Sequence, residues 1–170
     1  GHGLSYTNFK YSNLTLSAGS NYDSSEKDTP VMHDDDTLTV TFTVCNTGSI
    51  AGKEIVQLYV QDCSAACKEE GAPIRAPKEL KNFCKVSLKP GESKCVSLHI
   101  NRRALCWYNT DIADWYAASG SYQVLIGASS RDIRLSSSSY FKTKVFLPFH
   151  FTRNSVVGDI MHHPLAAKVF

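Results

Sequence analysis

Between Leu38 and Asp62 the chain sets two apolar runs on either side of a turn. The first, Leu38-Thr39-Val40-Thr41-Phe42-Thr43-Val44, alternates strictly. The second begins Gly52-Lys53-Glu54 and thickens into a more apolar stretch from Ile55 to Val60. A period of two places successive side chains on opposite faces, so Leu38, Val40, Phe42 and Val44 line one face of a half-buried strand. Between the runs, Asn46-Thr47-Gly48-Ser49 supplies turn chemistry. Strands of this kind need a second layer over their apolar face, which predicts a β-sandwich rather than a catalytic α/β body.

The rest of the chain continues the pattern. Phe9 to Leu16 alternates and reads as a first strand, and the polar stretch from Ala18 to Asp36, with three successive aspartates, reads as a solvated loop. Cys63 to Pro77 is a long connection containing Gly71 and Pro73, of a length usually functional or in contact with a neighbour. Leu80–Leu88 and Cys95–Ile100 are strands joined by the turn Lys89-Pro90-Gly91-Glu92. Trp107 to Tyr116 is an aromatic hairpin-like segment, and Tyr122–Gly127 and Ile133–Phe141 close the sheet. Short strands with turns at regular spacing predict two packed antiparallel sheets of the immunoglobulin or fibronectin type III kind. No Cys…Trp…Cys signature is present, which favours the fibronectin type III-like form. Near the end, Thr152-Arg153-Asn154-Ser155 can cap a short helix through Val156–Met161 that Pro164 interrupts. The expected organisation is a junction over 1–8, a sandwich over 9–145 and an extension with a short helix over 146–170.

With 170 residues, 42% of them hydrophobic, the chain can bury a full core without metal or disulfide staples. A net charge of +2 from well-mixed residues leaves no basic stripe for nucleic acid and no polybasic cluster for a membrane. No apolar run approaches membrane-spanning length. An opening of Gly1-His2-Gly3 without Met reads as a piece of a longer protein. The six cysteines are Cys45, Cys63, Cys67, Cys84, Cys95 and Cys106. Val44 and Phe83 continue the inward faces, which places Cys45 and Cys84 outward, and Cys95 precedes the inward Val96. Reduced thiols and a cytoplasmic location are therefore expected, with secretion as the alternative and a Cys84–Cys95 pair across neighbouring strands left open. The sequon Asn13-Leu14-Thr15 matters only in a secreted eukaryotic protein.

Several segments, in order, resemble family 3 glycoside hydrolases. Gly1-His2-Gly3-Leu4-Ser5-Tyr6-Thr7-Asn8-Phe9 is similar to the junction leaving their catalytic part. Asn46-Thr47-Gly48, Gly52-Lys53-Glu54-Ile55-Val56-Gln57-Leu58-Tyr59-Val60, Pro77-Lys78-Glu79-Leu80-Lys81-Asn82-Phe83, Leu88-Lys89-Pro90-Gly91-Glu92 and the run from Gly120 to Ile133 look like successive parts of their C-terminal fibronectin type III-like domain. Thr152-Arg153-Asn154-Ser155 with Gly158-Asp159-Ile160 is similar to extensions on some bacterial β-glucosidases. The resemblance implies a parent that is a retaining β-glucosidase, a hydrolase releasing terminal non-reducing β-D-glucosyl residues. That chemistry uses two carboxyl groups about 5 Å apart. In the family both lie upstream, and neither motif stands in this chain, so no catalytic residue is carried over. The implied partner is the catalytic region of the same polypeptide, which the domain would stabilise or orient. Asn82 stands where the family often has Gly, a substitution that suits a turn or bulge at positive φ.

Candidate residues outside the resemblance are few. His2 sits between glycines at the junction and is a candidate for contact with the parent's sugar site. Trp107 and Trp115, beside Tyr108 and Tyr116, are candidates for stacking on an oligosaccharide, against the plainer role of filling a sandwich core. On those residues the alternative function is an independent carbohydrate-binding or adhesion module. Arg75, Lys78 and Glu79, on the long loop, are the candidate docking residues. His33-Asp34-Asp35-Asp36 lacks the glycine and distal glutamate of a calcium loop, and Cys63 to Cys67 has no second pair for zinc. No metal or cofactor is expected.

Overall fold

The computed structural model describes residues 5–19, 29–68 and 74–147. Its strands are β1 (Phe9–Ala18), β2 (Val31–His33), β3 (Thr37–Asn46), β4 (Gly52–Asp62), β5 (Glu79–Leu88), β6 (Ser93–Asn101), β7 (Trp107–Asn109), β8 (Asp114–Tyr116), β9 (Gly120–Gly127) and β10 (Ile133–Lys142). A three-stranded sheet has the order β1-β3-β6, and a five-stranded sheet has the order β2-β10-β9-β4-β5. β7 and β8 form a separate hairpin.

The inward faces follow the period-two reading. Leu38, Val40 and Phe42 of β3 stand opposite Ile100, Leu98 and Val96 of β6, and all are buried. They face Val56, Leu58 and Val60 of β4, Tyr122, Val124 and Ile126 of β9, and Phe141 of β10 across the sandwich. Removing this apolar surface from water is the main force holding the sheets together. The turn from Lys89 to Glu92 closes through Glu92 N–H donating to the Lys89 carbonyl at 3.0 Å, with Gly91 at φ +75°.

Several features depart from the sequence reading. β1 is not one alternating run: its register shifts between Ser12 and Thr15 at a bulge where Asn13 takes φ +56°. The extra residue switches the inward set from Phe9 and Tyr11 to Leu14 and Leu16, both packed on the core. The expected solvated loop before β3 holds β2, which pairs in parallel with β10 and buries Met32.

On β5, Val86 and Leu88 set the inward parity, so Cys84 packs on the core and Phe83 points out, 64% exposed. The expected orientations of Phe83 and Cys84 are therefore reversed. Cys84 and Cys95 are free thiols on strands of opposite sheets, not hydrogen-bonded neighbours, so the cross-strand pairing left open does not form. The bulge near Asn82 is present, between Leu58 and Tyr59 of β4 and their partners. Asn82 does not take positive φ. Instead its Nδ2 donates to the His99 carbonyl of β6 at 2.9 Å, lacing the sandwich edge.

Truncating Met32 to Ala should destabilise the domain by about 2–5 kcal/mol, because the packed site cannot fully collapse. Phe83→Ser, on the outer face, should stay within about 0.5 kcal/mol of the parent. Urea unfolding of both variants checks this; equal losses would mean β2 is not part of the core.

Candidate functional site

The end of the sandwich where the chain leads into β1 is built on one buried side chain. Asn46, fully excluded from solvent, ends β3 at an inward position that continues the Leu38-Val40-Phe42-Val44 series. Its Nδ2 donates to the carbonyls of Ile50 (2.8 Å) and Leu88 (3.2 Å). Its Oδ1 accepts from the Thr7 hydroxyl (2.6 Å) and the Gly48 N–H (3.1 Å). Both donors and both acceptor sites of the amide are used, which makes such a buried group tolerable. The backbone adds to the latch: Thr47 N–H and hydroxyl both donate to the Asn8 carbonyl, at 2.8 and 3.2 Å. Gly48 is required here, since a Cβ would lie 2.1 Å from Thr7 Oγ1.

Beside this latch lies an open groove of about 760 Å³, with Tyr6, Phe9, Ala51, Glu54, Ser129 and Arg134 among its walls. Glu54 occupies the inward parity of β4, two residues before Val56. Its Oε1 accepts from Ile55 N–H at 2.9 Å, while Oε2 stands 3.9 Å from Arg134 Nη1, beyond hydrogen-bond distance. Burial pushes the Glu54 carboxyl above its ordinary pKa, with the Ile55 N–H and Arg134 opposing. Arg134 donates from Nη1 to the Phe9 carbonyl at 2.9 Å and from Nη2 to Asp132 at 2.7 Å. Its guanidinium lies 4.7 Å over the Tyr11 ring. The Tyr11 hydroxyl is buried, has no hydrogen-bond partner among the described residues, and titrates far above its ordinary range chiefly through burial. Perturbed carboxyls in clefts mark either chemistry or ion-pair networks. Here Arg134 joins β1, β4 and the start of β10, and the network fastens the first strand.

The opposite end is held by charge. Arg75 donates to Glu79 Oε1 (2.9 Å), Asp62 Oδ2 (3.0 Å) and the Leu105 carbonyl (3.1 Å), and its guanidinium lies 5.5 Å from the centre of the Trp107 ring. It thus ties the return of the long loop to this domain's own frame. At Glu79 burial acts upward, but hydrogen bonds from Arg75 and Lys81 outweigh it and hold the carboxyl below its ordinary range. The run His33 to Asp36 is a clamp rather than a cation loop. Asp34 accepts from Thr143 Oγ1 (3.1 Å) and Lys144 N–H (2.6 Å) and pairs with Arg102 (3.1 Å). Asp36 accepts from His33 N–H at 2.8 Å.

In the β7–β8 hairpin Trp107 packs edge-on against Tyr116 with ring centres 5.0 Å apart. On the other face Trp115, 37% exposed, meets Tyr108 edge-on at 5.6 Å. The Arg103 guanidinium covers the Trp115 ring at 3.1 Å. The two tryptophans therefore point to opposite faces of the hairpin and do not make one flat platform. Lys78 is half-buried just before β5. His2 lies outside the described residues. Among the described residues, no three His, Cys, Asp or Glu side chains are grouped to hold a metal ion. Sequence reasoning missed Asn46, Glu54 and Arg134 as a unit. The available signal was parity: Asn46 and Glu54 are polar residues in inward positions.

Residues 54–130 match the family model for a fibronectin type III-like domain. Over 169 residues the chain is 43% identical to thermostable beta-glucosidase B of Acetivibrio thermocellus, covering 99% of this chain and 20% of that protein. The chain carries the fibronectin type III-like domain found in family 3 β-glucosidases. This domain is also 39% identical to probable beta-glucosidase L of Emericella nidulans, over 81% of the chain and 18% of that protein. Among solved structures it superposes on the family 3 β-glucosidase of Bifidobacterium adolescentis with a TM-score of 0.73 at 28% identity, covering 99% of the chain and 22% of the neighbour. On the beta-D-glucoside glucohydrolase of Trichoderma reesei the TM-score is 0.66 at 34% identity, over 83% of the chain and 20% of the neighbour. The chain thus spans about one fifth of the length of the relatives it matches.

Replacing Asn46 by Ala leaves Gly48 N–H and two carbonyls without that partner and should cost about 3 kcal/mol, read as a lower urea midpoint with unchanged slope. A loss under about 1 kcal/mol would mean the amide is not what holds the latch. Glu54 stabilises the fold only while protonated, because its folded pKa is raised above 4.5. That contribution is complete below 4.5 and lost as pH climbs through the raised value. Glu54→Gln should therefore be more stable than the parent domain at neutral pH, with the gap closing as pH falls towards 4.5. A gap that does not change with pH would exclude a raised carboxyl at Glu54.

Proposed function

We propose that this domain is an accessory part of a longer polypeptide that hydrolyses terminal non-reducing β-D-glucosyl residues. Its work is physical: it packs on the catalytic domains of that polypeptide, stabilises them and fixes their orientation. The observation that carries the reading is the latched lead-in. Thr7, Asn8 and Phe9 are bound by Asn46, Thr47 and Arg134 within a few residues of the point where an upstream region would join. A lead-in bonded at Thr7, Asn8 and Phe9 transmits orientation, whereas a flexible linker would not. The relatives, each named a β-glucosidase and each about five times the matched length, support the same reading.

The test is a deletion series on the longer polypeptide. Removing this domain should lower the thermal midpoint of the remainder and reduce turnover of an aryl β-glucoside. The domain alone should fold cooperatively and give no turnover. A remainder that keeps full activity and midpoint would overturn the reading, as would turnover by the isolated domain that its own carboxylate substitutions abolish.

A further inference from the structure

The groove beside the latch has three properties that suit a packed neighbour. It lies where the polypeptide before Ser5 is delivered, because Ser5–Phe9 form part of its wall. Its rim carries large apolar side chains turned to solvent: Tyr6 is 95% exposed, and Ile50, next to the wall residue Ala51, is 54% exposed. At its floor Glu54 Oε2 has no hydrogen bond within reach among the described residues, the nearest cation standing at 3.9 Å. Apolar surface with one convergent acceptor is what the centre of a protein interface offers.

We infer that this groove seats the catalytic region of the same polypeptide, which covers Tyr6 and Ile50 and presents a hydrogen-bond donor to Glu54. The inference rests on the accessory reading above and names its surface. About four fifths of each matched relative lies outside the length this chain covers, ample to supply such a neighbour. The latch limits where that neighbour can lie. With the Asn8 and Phe9 carbonyls both bonded, the chain enters the sandwich at this end, which is the surface an upstream body meets first.

A rival surface exists on the outer face of the five-stranded sheet. There Leu80 and Phe83 of β5, 50% and 64% exposed, flank the buried Tyr59 and Leu125. The described lead-in residues Thr7 and Asn8 bond instead to Asn46 and Thr47 at the groove end.

Hydroxyl-radical footprinting separates the two, because all four exposed side chains react. The isolated domain and the longer polypeptide are labelled side by side. Oxidation of Tyr6 and Ile50 falling several-fold in the longer polypeptide supports the inference, whatever happens at Leu80 and Phe83. Protection confined to Leu80 and Phe83 overturns it while leaving the accessory reading in place. No protection at any of the four also overturns it, and the deletion series then decides the accessory reading on its own. A variant gives a second readout: Ile50→Glu should leave the isolated domain's midpoint unchanged and lower that of the longer polypeptide. A variant midpoint equal to the parent's in both contexts counts against the groove.

Discussion

The architecture at the lead-in end depends on a polar amide with no access to water. Asn46 lies at the margin of a hydrophobic core, and such a group is costly unless every hydrogen-bonding site is used. The surrounding chain meets that demand from separate segments: Thr7 before β1, Gly48 and Ile50 in the following turn, and Leu88 at the end of β5. The Asn46 backbone carbonyl and N–H reach Gly91 and Glu92 in the next turn as well. One side chain thereby fixes the relative positions of two turns and the first strand. An apolar residue of similar volume would be excluded from water equally well but would specify none of those positions.

Much of the fold was legible in the sequence where a long strand buries one face. β3, β6 and the second half of β4 could be placed because a slip of one residue would expose the whole apolar set. The misreadings have physical causes. Phe83 reads as continuing an inward face, but Val86 and Leu88 fix the parity of β5 and send it outward. β2 has only three residues, too few for a period to show. The bulge in β1 was written as a change of parity from Tyr11 to Leu14, visible only when the run is not treated as one strand. At the candidate site, the Asn-Thr-Gly motif drew attention as a turn. Its deeper role was encoded in position, since Asn46 and Glu54 occupy places where the pattern calls for apolar side chains. Arg75 stood out as a loop cation available to a partner, yet its partners are Asp62, Glu79 and Leu105 of its own frame.

The two ends of the sandwich use different physics. The lead-in end relies on neutral hydrogen bonds around Asn46 with Arg134 as a brace, and leaves a groove open. The far end is closed by ion pairs, with Arg75 gathering the long loop and Asp34 gathering the turn after β2 and the segment after β10. The neutral hydrogen bonds of Asn46 carry no charge to screen or titrate, while exposed ion pairs weaken as salt rises.

The parallel pairing of β2 with β10 has a consequence for how the chain is made. β10 lies between β9 and β2, so the strand formed from residues 31–33 has no partner until residues 140–142 have left the ribosome. Contacts of such sequence separation form late, and the strand edges they cover stay open meanwhile. If synthesis stalls or the message is cut short within the last strand, the product has lost more than its end. It leaves β9 as an open edge and β2 without a partner, a ready template for another chain. Completion of β10, rather than of any earlier strand, is what closes the larger sheet.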